Sequence, residues 1–267
     1  IAQLTSILNE TFSKGGNLII PSFAIGRTQE LLYLFRIIKE KRLIANYSNF
    51  PVYVDSPLAV EATKIYQDNL FDFYDDEALE LINKGINPIV FDGLKTSVKK
   101  EESMAINLDE SPKVIISASG MCEAGRIRHH LKHNLWKENN TILFVGYQSE
   151  GTLGRKLMNG AQTVNLFGEE IQVKAKIENI VGISGHADKN MMLDWLGSMN
   201  NRPKKVFVNH GDDIVSDSFA QTIYNKLSVP AVAPYSGDEY NLINGECVKR
   251  GKVVRISKQS DGRRRAN

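Results

Sequence analysis

The sequence predicts an α/β protein built on a mainly parallel sheet. Short apolar runs alternate with amphipathic helices, and turn residues separate the two kinds of segment. Apolar stripes at helical spacing mark the predicted core faces of two helices, namely Leu31, Leu34, Phe35 and Ile38 in one and Met192, Trp195, Leu196 and Met199 in the other. The four clearest strand and helix pairs are NLII with RTQELLYLFRIIKEKR, VIISAS with GRIRHHLKHNLW, NIVGIS with DKNMMLDWLGSM, and KVFVNH with SDSFAQTIYNKL.

Composition narrows the class of protein. Of the 267 residues, 42% are hydrophobic, which is enough for a core. The 33 basic and 31 acidic side chains nearly cancel, so an argument for a nucleic-acid partner must be local. Cys122 and Cys247 form no CxxC pair, which excludes a cysteine zinc site. The two cysteines give no disulfide framework, so we expect a cytoplasmic protein. No run reaches the ~20 apolar residues of a membrane helix.

Three ionisable residues follow predicted strands. Glu30 comes shortly after NLIIPSFAIG, His186 follows NIVGIS, and His210 closes KVFVNH. Ligands gather where parallel strands end, because right-handed crossovers bring these ends to one edge. His186 and His210 could therefore face one cleft. Glu30 lies in a first helical turn, where the helix dipole favours a carboxylate that orients a histidine. The alternative for Glu30 is a helix charge without further function.

Two glycine-rich turns before helices indicate phosphate sites. Small residues permit close backbone approach, helix starts present free amides, and arginines add charge-assisted bonds. The alternative is that the small residues only permit close packing of helix on strand. The candidates are Ser117, Ser119, Gly120 and Arg126 in the first turn, Gly151, Thr152 and Arg155 in the second, and Arg27 at the start of an earlier helix.

His129 and His133 have the i, i+4 spacing of a helical metal-binding pair. No glutamate stands between them in an HExxH pattern, and the helix is otherwise basic. This pattern favours a surface or groove-lining face over a metal site.

Six motifs in order resemble the β-CASP branch of the metallo-β-lactamase fold, and within it the bacterial and archaeal RNA-processing nucleases related to the endonuclease subunit of the cleavage and polyadenylation factor. The resemblance covers nearly the whole chain. The motifs are IIPSFAIGRTQELL, VDSPLA, SASGMCEAGRIRHHLK, GYQSEGTLGRKL, ISGHAD and VFVNHGD.

The resemblance implies a zinc-dependent ribonuclease with two zinc ions and an RNA substrate. The sequence leaves open whether the protein forms a homo-oligomer. By position, Glu30 matches the acid of motif A, His186 the histidine of motif B and His210 the histidine of motif C. The resemblance implies that His186 acts as general acid, that Glu30 orients it and that His210 ligates zinc.

One departure from the family pattern is large. The HxHxDH signature that supplies most metal ligands is absent. We expect the chain to begin after that signature, so that it is inactive alone. The resemblance then places the end of a first hydrolase segment at 1–40, the β-CASP domain at 41–170, and the return to the hydrolase domain, with its RNA-metabolising motif, at 171–267. Two alternatives remain open, a catalytically silent RNA-binding or nuclease-partner protein and a hydrolase of small phosphoesters.

Overall fold

A computed structural model gives the fold of the chain and describes residues 1–44, 46–69, 74–182 and 187–251. The described residues fall into two compact units, one within 1–182 and one within 187–251. Helices cover a mostly parallel central sheet, so the predicted α/β class is confirmed. None of the helices in these ranges combines the length and the apolar character needed to cross a bilayer.

The first unit is built on a six-stranded parallel sheet. Its strands are β1 (Leu18–Pro21), β2 (Val52–Asp55), β3 (Leu94–Ser97), β4 (Val114–Ser117), β5 (Thr141–Phe144) and β8 (Lys176–Asn179). They lie side by side in the order β3-β2-β4-β1-β5-β8. The three strands β1, β4 and β5 are buried along their whole length, which is typical of a parallel sheet that is covered on both faces.

Two hydrophobic clusters flank this sheet. Neighbouring strand residues point to opposite faces, so Ile20 packs in one cluster and Ile19 in the other. The Ile20 cluster contains residues of α1 (Ala2–Ser13), α2 (Arg27–Glu40) and α3 (Pro57–Asp68). The Ile19 cluster contains residues of α5 (Lys100–Leu108), α6 (Ile127–Asn134) and α7 (Leu153–Met158). Helix α4 (Asp76–Asn83) follows α3 in the chain.

A hairpin precedes the last strand of the sheet. It consists of β6 (Thr163–Leu166) and β7 (Glu169–Gln172), which are antiparallel. The NIVGIS segment was predicted as a strand, and this prediction was wrong for Ile180 to Gly182, where the described backbone is not in a strand. The ladder stops at Asn179 because its partner residue Phe144 is the last residue of β5.

The described part of the second unit, residues 187–251, contains two helices and two small sheets. Strands β9 (Val206–Phe207) and β10 (Ala231–Val232) are parallel, whereas β11 (Glu239–Tyr240) and β12 (Cys247–Lys249) are antiparallel. The helices are α8 (Lys189–Gly197) and α9 (Asp213–Leu227).

The small core of the second unit corrects one prediction. Leu193 and Leu196 of α8 pack with Ile223 of α9 and with Val229. Trp195 was predicted as a core residue, but its side chain is 64% exposed. The helix therefore packs through the face that carries positions 193 and 196, and Trp195 lies beside that face.

The domain boundaries predicted at residues 40 and 170 do not coincide with a break in the central sheet. Residues 18–21 and 176–179 supply strands β1 and β8 of the same sheet that holds β2 to β5. One compact unit therefore extends across both positions. The assignment of 1–40 and 171–267 to a hydrolase domain stays a prediction.

Candidate functional site

A buried carboxylate, Asp55, organises the carboxyl edge of the sheet. Asp55 is the last residue of β2 and is fully buried. Its Oδ1 accepts a hydrogen bond from Arg126 Nη1 at 2.6 Å, and its Oδ2 accepts one from Ser103 Oγ at 2.5 Å. His130 Nε2 lies 2.6 Å from the same Oδ2. Ser117 Oγ donates to the Asp55 carbonyl at 2.8 Å. The end of β2 is thereby tied to β4, α5 and α6.

The charge of Asp55 is stabilised by these partners. Burial alone would raise the pKa of this carboxyl, but the contacts with His130, Ser103 and Arg126 outweigh burial and lower the pKa to about 2. The group is therefore a carboxylate at neutral pH. A buried charge of this kind persists only when it is paired and hydrogen-bonded.

The Arg126 guanidinium is held across the ends of two strands. Besides Asp55, Nη1 donates to the Ser97 carbonyl at 3.3 Å and Nη2 donates to the Val98 carbonyl. The side chain is 22% exposed. The sequence predicted that Arg126 binds phosphate. The structure places its Nη groups on protein acceptors, so the phosphate role stays a prediction and a structural role has direct geometric support.

Backbone amides at the start of α6 donate hydrogen bonds to carbonyls of the turn between β4 and α6. Ile127 N donates to Ala118 O at 3.3 Å, Arg128 N to Gly125 O at 3.3 Å, and His129 N to the Arg126 carbonyl at 2.9 Å. The prediction that the amides at the start of this helix are free was wrong for these three residues. The hydroxyl of Ser117 is also engaged, so the anion-binding prediction for this turn rests on Ser119 and Gly120.

Close packing explains two glycines at this edge. A Cβ on Gly120 would lie 3.2 Å from ring carbons of Phe23, in the loop after β1. The Gly120 carbonyl accepts from Gln148 Nε2 at 2.9 Å, in the loop after β5. A Cβ on Gly154 would lie 1.8 Å from Gln148 Oε1. The loops after β1, β4 and β5 are therefore packed against one another.

The second glycine-rich turn forms the start of α7. Thr152 is the N-cap residue, and its Oγ accepts from Arg155 N at 3.2 Å, while Gly151 has a φ of 81°. Arg155 Nε lies 2.9 Å from Glu150 Oε1. These contacts give Gly151 and Thr152 a structural reason to be present, and their predicted role in phosphate binding stays untested.

Half-exposed aromatic rings stand at the same edge. The side chain of Phe23 is 50% exposed and that of Tyr147 is 56% exposed. The Arg155 guanidinium carbon lies 5.5 Å from the centre of the Tyr147 ring. Aromatic rings beside arginines are a common arrangement in proteins that bind single-stranded nucleic acids, because every base has a face that can stack.

The structure describes two of the three residues matched to motifs A, B and C, and each of the two belongs to a different unit. Glu30 is paired with Arg27 in the first turn of α2, and it lines a crevice of about 800 Å³ with Gln29 and Tyr33 among others. His210 follows β9 in the second unit, where it is exposed with a φ of 59°. His186 lies outside the described residues. The grouping of these three side chains stays a prediction.

The described ranges do not contain a group of three or more histidine, cysteine or carboxylate side chains that could hold a metal ion. On α6, the ring of His129 stacks on Phe167 with centroids 4.4 Å apart. Burial lowers the pKa of His129 and of His133, and neighbouring positive charges lower both further. Both histidines are exposed on α6, which agrees with the surface or groove-lining face that the sequence favoured.

Sequence reasoning missed the Asp55 cluster. Asn107, which contacts His130, was not singled out either. One signal was present, since Asp55 ends the apolar run VYVD inside the VDSPLA motif. A carboxylate at the end of a buried parallel strand lies where ligands and paired charges gather.

Two protein-family models match successive parts of the chain. The Beta-Casp domain model matches residues 28–157, and the model of the Zn-dependent metallo-hydrolase RNA specificity domain matches residues 170–234. The chain belongs to the β-CASP family. The cluster around Asp55, Arg126 and His130 lies wholly within the Beta-Casp match, so it is part of the β-CASP domain.

Several curated proteins are similar to this β-CASP chain. Ribonuclease TTHA0252 of Thermus thermophilus is 36% identical over 213 residues, which cover 80% of this chain and 47% of the relative. An RNase J-like protein of Methanocaldococcus jannaschii is 35% identical over 237 residues, or 88% of this chain and 52% of the relative. The transcription termination factor FttA of Methanosarcina mazei is 30% identical over 232 residues, which cover 85% of this chain and 36% of the relative. The chain spans about half the length of these relatives, or less.

Proposed function

We propose that this β-CASP chain is part of a zinc-dependent ribonuclease that processes RNA. The observation that carries the proposal is the ordered match to a Beta-Casp domain and to an RNA specificity domain of zinc-dependent hydrolases. Relatives named as a ribonuclease and as an RNase J-like protein support the same reaction class, the hydrolysis of RNA phosphodiesters.

The RNA would cross the carboxyl edge of the sheet. Phe23 and Tyr147 offer faces for unpaired bases, and each such stack contributes about 1–3 kcal/mol to binding. Arg155, beside Tyr147, supplies positive charge for the phosphate backbone. Ser119 and Gly120, in the neighbouring turn, would lie along the same path. This arrangement favours single-stranded RNA over a duplex, whose bases are not open to stacking.

The catalytic roles in this proposal come from the family resemblance. His186 would donate the proton to the departing oxygen, Glu30 would orient it and His210 would ligate zinc. A zinc site needs three or four protein ligands. The described residues do not form such a site, so they do not fit the metal by themselves. The remaining ligands would come from residues beyond the described ranges.

One experiment separates binding from cleavage. The purified chain and the longest polypeptide that its gene encodes would be compared for binding of a labelled single-stranded RNA, for cleavage of it and for zinc content. We expect both to bind and only the longer polypeptide to hold zinc and cleave. If neither polypeptide binds RNA, the proposal that RNA is the substrate is refuted. Cleavage with tightly bound zinc in the chain alone would refute the division of the metal site.

A further inference from the structure

The turn of the β6–β7 hairpin carries a residue that its backbone does not favour. Leu166 of β6 pairs with Glu169 of β7. The turn between them therefore consists of Phe167 and Gly168, whose φ angles are 55° and 83°. Two-residue turns with positive φ at both positions favour asparagine, aspartate or glycine, whereas a bulky side chain is strained there. The presence of the Phe167 ring is therefore not explained by the turn itself.

Packing accounts for only part of this ring. Phe167 stacks on His129 of α6, with ring centroids 4.4 Å apart and planes 23° from parallel. Phe167 nevertheless remains 47% exposed, and His129 is exposed as well. The stacked pair thus presents aromatic surface to solvent. Every RNA base has a face that can extend such a stack.

Arg128 adds a positive charge beside the two rings. Its guanidinium carbon lies 5.1 Å from the centre of the Phe167 ring. Its Nε is buried without a hydrogen-bond partner, and its Nη1 lies 3.5 Å from the Glu123 carbonyl, which is a weak contact. Within the described ranges, no carboxylate oxygen lies within 4 Å of this guanidinium. A phosphate can therefore bind Arg128 without displacing an acidic partner.

The neighbouring charges are also positive. Burial lowers the pKa of His129, and the charges of Lys100 and Lys132, among others, lower it further. Lys132 is paired with Glu169 at 2.6 Å, whereas Lys100 has no carboxylate partner within 4 Å in the described part of the chain. Two unpaired cations and a stack of two rings complement the phosphates and bases of a single strand. We call these four residues the α6 surface: Lys100, Arg128, His129 and Phe167.

Helix α6 leads away from the carboxyl edge of the sheet. It begins after Arg126, which lies across the ends of β2 and β3. Its eight residues extend over about 12 Å. Asn140, a few residues beyond its end, accepts from the Asn17 amide at the amino edge. A strand that leaves the carboxyl edge along α6 therefore meets the α6 surface.

We infer that the α6 surface is a second contact site for single-stranded RNA and that it guides the strand away from the carboxyl edge. A base extends the stack of Phe167 and His129, while Arg128 and Lys100 bind neighbouring phosphates. The inference rests on the proposed RNA substrate and adds a part of the path that this substrate takes. The strained position of Phe167 is then retained because its ring contributes to binding.

Phe167→Asn separates binding from packing. Asparagine suits this turn, so the variant should unfold at a urea concentration no lower than the wild type does. It should nevertheless bind long single-stranded RNA about tenfold more weakly, because one stacked base is lost. Phe167→Tyr is the matched control, since it keeps the ring and should bind like the wild type. A less stable Phe167→Asn with unchanged RNA affinity would show that the ring only packs, and would overturn the inference.

RNA length tests the path. The purified chain and its variants would be titrated by fluorescence anisotropy with labelled single-stranded RNAs of increasing length. The loss in Phe167→Asn should appear only when the RNA extends beyond the carboxyl edge, whereas Tyr147→Ala should weaken binding at every length. Equal affinities of wild type and Phe167→Asn, or an equal loss at every length, would contradict the assigned path. Absence of RNA binding by the wild type would instead refute the proposed function.

Salt dependence tests the charges. Arg128→Gln should reduce the slope of log affinity against log salt by about 0.7, the share of one phosphate contact in a single strand. Lys41→Gln is the matched control, because Lys41 is an exposed cation at the end of α2, a helix on the other face of the sheet. An unchanged slope in Arg128→Gln would remove the phosphate contact. Polyglutamate is a second probe: if its binding depends on Arg128 while RNA binding depends on neither Arg128 nor Phe167, the surface serves an acidic polypeptide and the inference fails.

Discussion

Arg126 and Asp55 form an ion pair of 2.6 Å although 71 residues separate them in the chain. The carboxylate is fully buried and the guanidinium is mostly buried, so the pair joins the ends of β2 and β3 to the start of α6. Because both charges have been taken out of water, removal of either partner leaves a charge that is only partly compensated.

Arg126→Ala should lower the free energy of unfolding by about 3 kcal/mol, because breaking a buried pair is strongly destabilising. Urea unfolding of the chain measures this. Arg155→Ala is the control, since its partner Glu150 is exposed, and it should cost less than about 1 kcal/mol. Equal effects of the two substitutions would argue against the structural role of Arg126.

Stability should fall in acid because of Asp55. Its pKa is lowered from 3.8 to about 2 in the folded protein. The stabilisation is therefore present above pH 4 and is lost as the pH falls toward 2; it amounts to about 2 kcal/mol. Urea unfolding between pH 5 and pH 2 should show a steeper loss in the wild type than in Asp55→Asn. Parallel profiles would contradict the assignment of this loss to Asp55.

Phe23→Ala and Tyr147→Ala should each weaken binding of single-stranded RNA by about 1–3 kcal/mol, because each removes a stacking face. Fluorescence anisotropy with a short labelled RNA measures the affinity. Trp136→Ala is the control, since this ring is 53% exposed but follows α6 and lies near Asn17, at the amino edge of the sheet. A comparable loss in the Trp136 variant would show that the carboxyl edge has no special role.

Gly125→Ala tests the packing of the turn after β4. Gly125 has a φ of 78°, and a Cβ there would lie 2.5 Å from the Ala118 carbonyl oxygen. The strained backbone conformation and the clash should together cost about 2 kcal/mol or more in unfolding free energy. Gly146→Ala, in the loop after β5, meets nothing within 4 Å and should be nearly neutral. Similar thermal stability of the two variants would contradict the close approach at Gly125.

His186→Ala, made in the longest polypeptide of the gene, should lower RNA turnover by about 10² to 10⁴, the usual contribution of a positioned acid. RNA affinity should change little. Single-turnover cleavage at saturating enzyme isolates the chemical step. His133→Ala is the control, on a helix that the proposal keeps out of catalysis. Wild-type turnover in the His186 variant would remove this residue from the mechanism.

The sequence predicted the fold class because hydrophobic periodicity is a local property. The strand NIVGIS was extended too far because its end depends on Phe144 of a neighbouring strand, which periodicity does not reveal. Trp195 was misplaced because two faces of a short helix carry apolar side chains, and only packing against α9 selects one.

The site was harder to predict than the fold, and Arg126 shows why. A free arginine after a glycine-rich turn is a reasonable phosphate ligand. Its carboxylate partner is distant in sequence, however, and the carbonyls of Ser97 and Val98 belong to a third segment. Hydrogen-bond partners of this kind follow from the order of strands in the sheet. The VDSPLA motif marked the position of Asp55, but not its contacts.

The position of β1 in the centre of the sheet has a consequence for synthesis of the protein. Its neighbours β4 and β5 are made much later, and the Asn17 amide meets Asn140 across 123 residues. At about 5–20 residues per second, a ribosome needs roughly ten seconds to deliver that partner. During this interval, Leu18, Ile19 and Ile20 have no partner strands on β4 and β5 to pair with. The nascent chain therefore exposes throughout this interval a strand that is buried along its whole length in the folded protein.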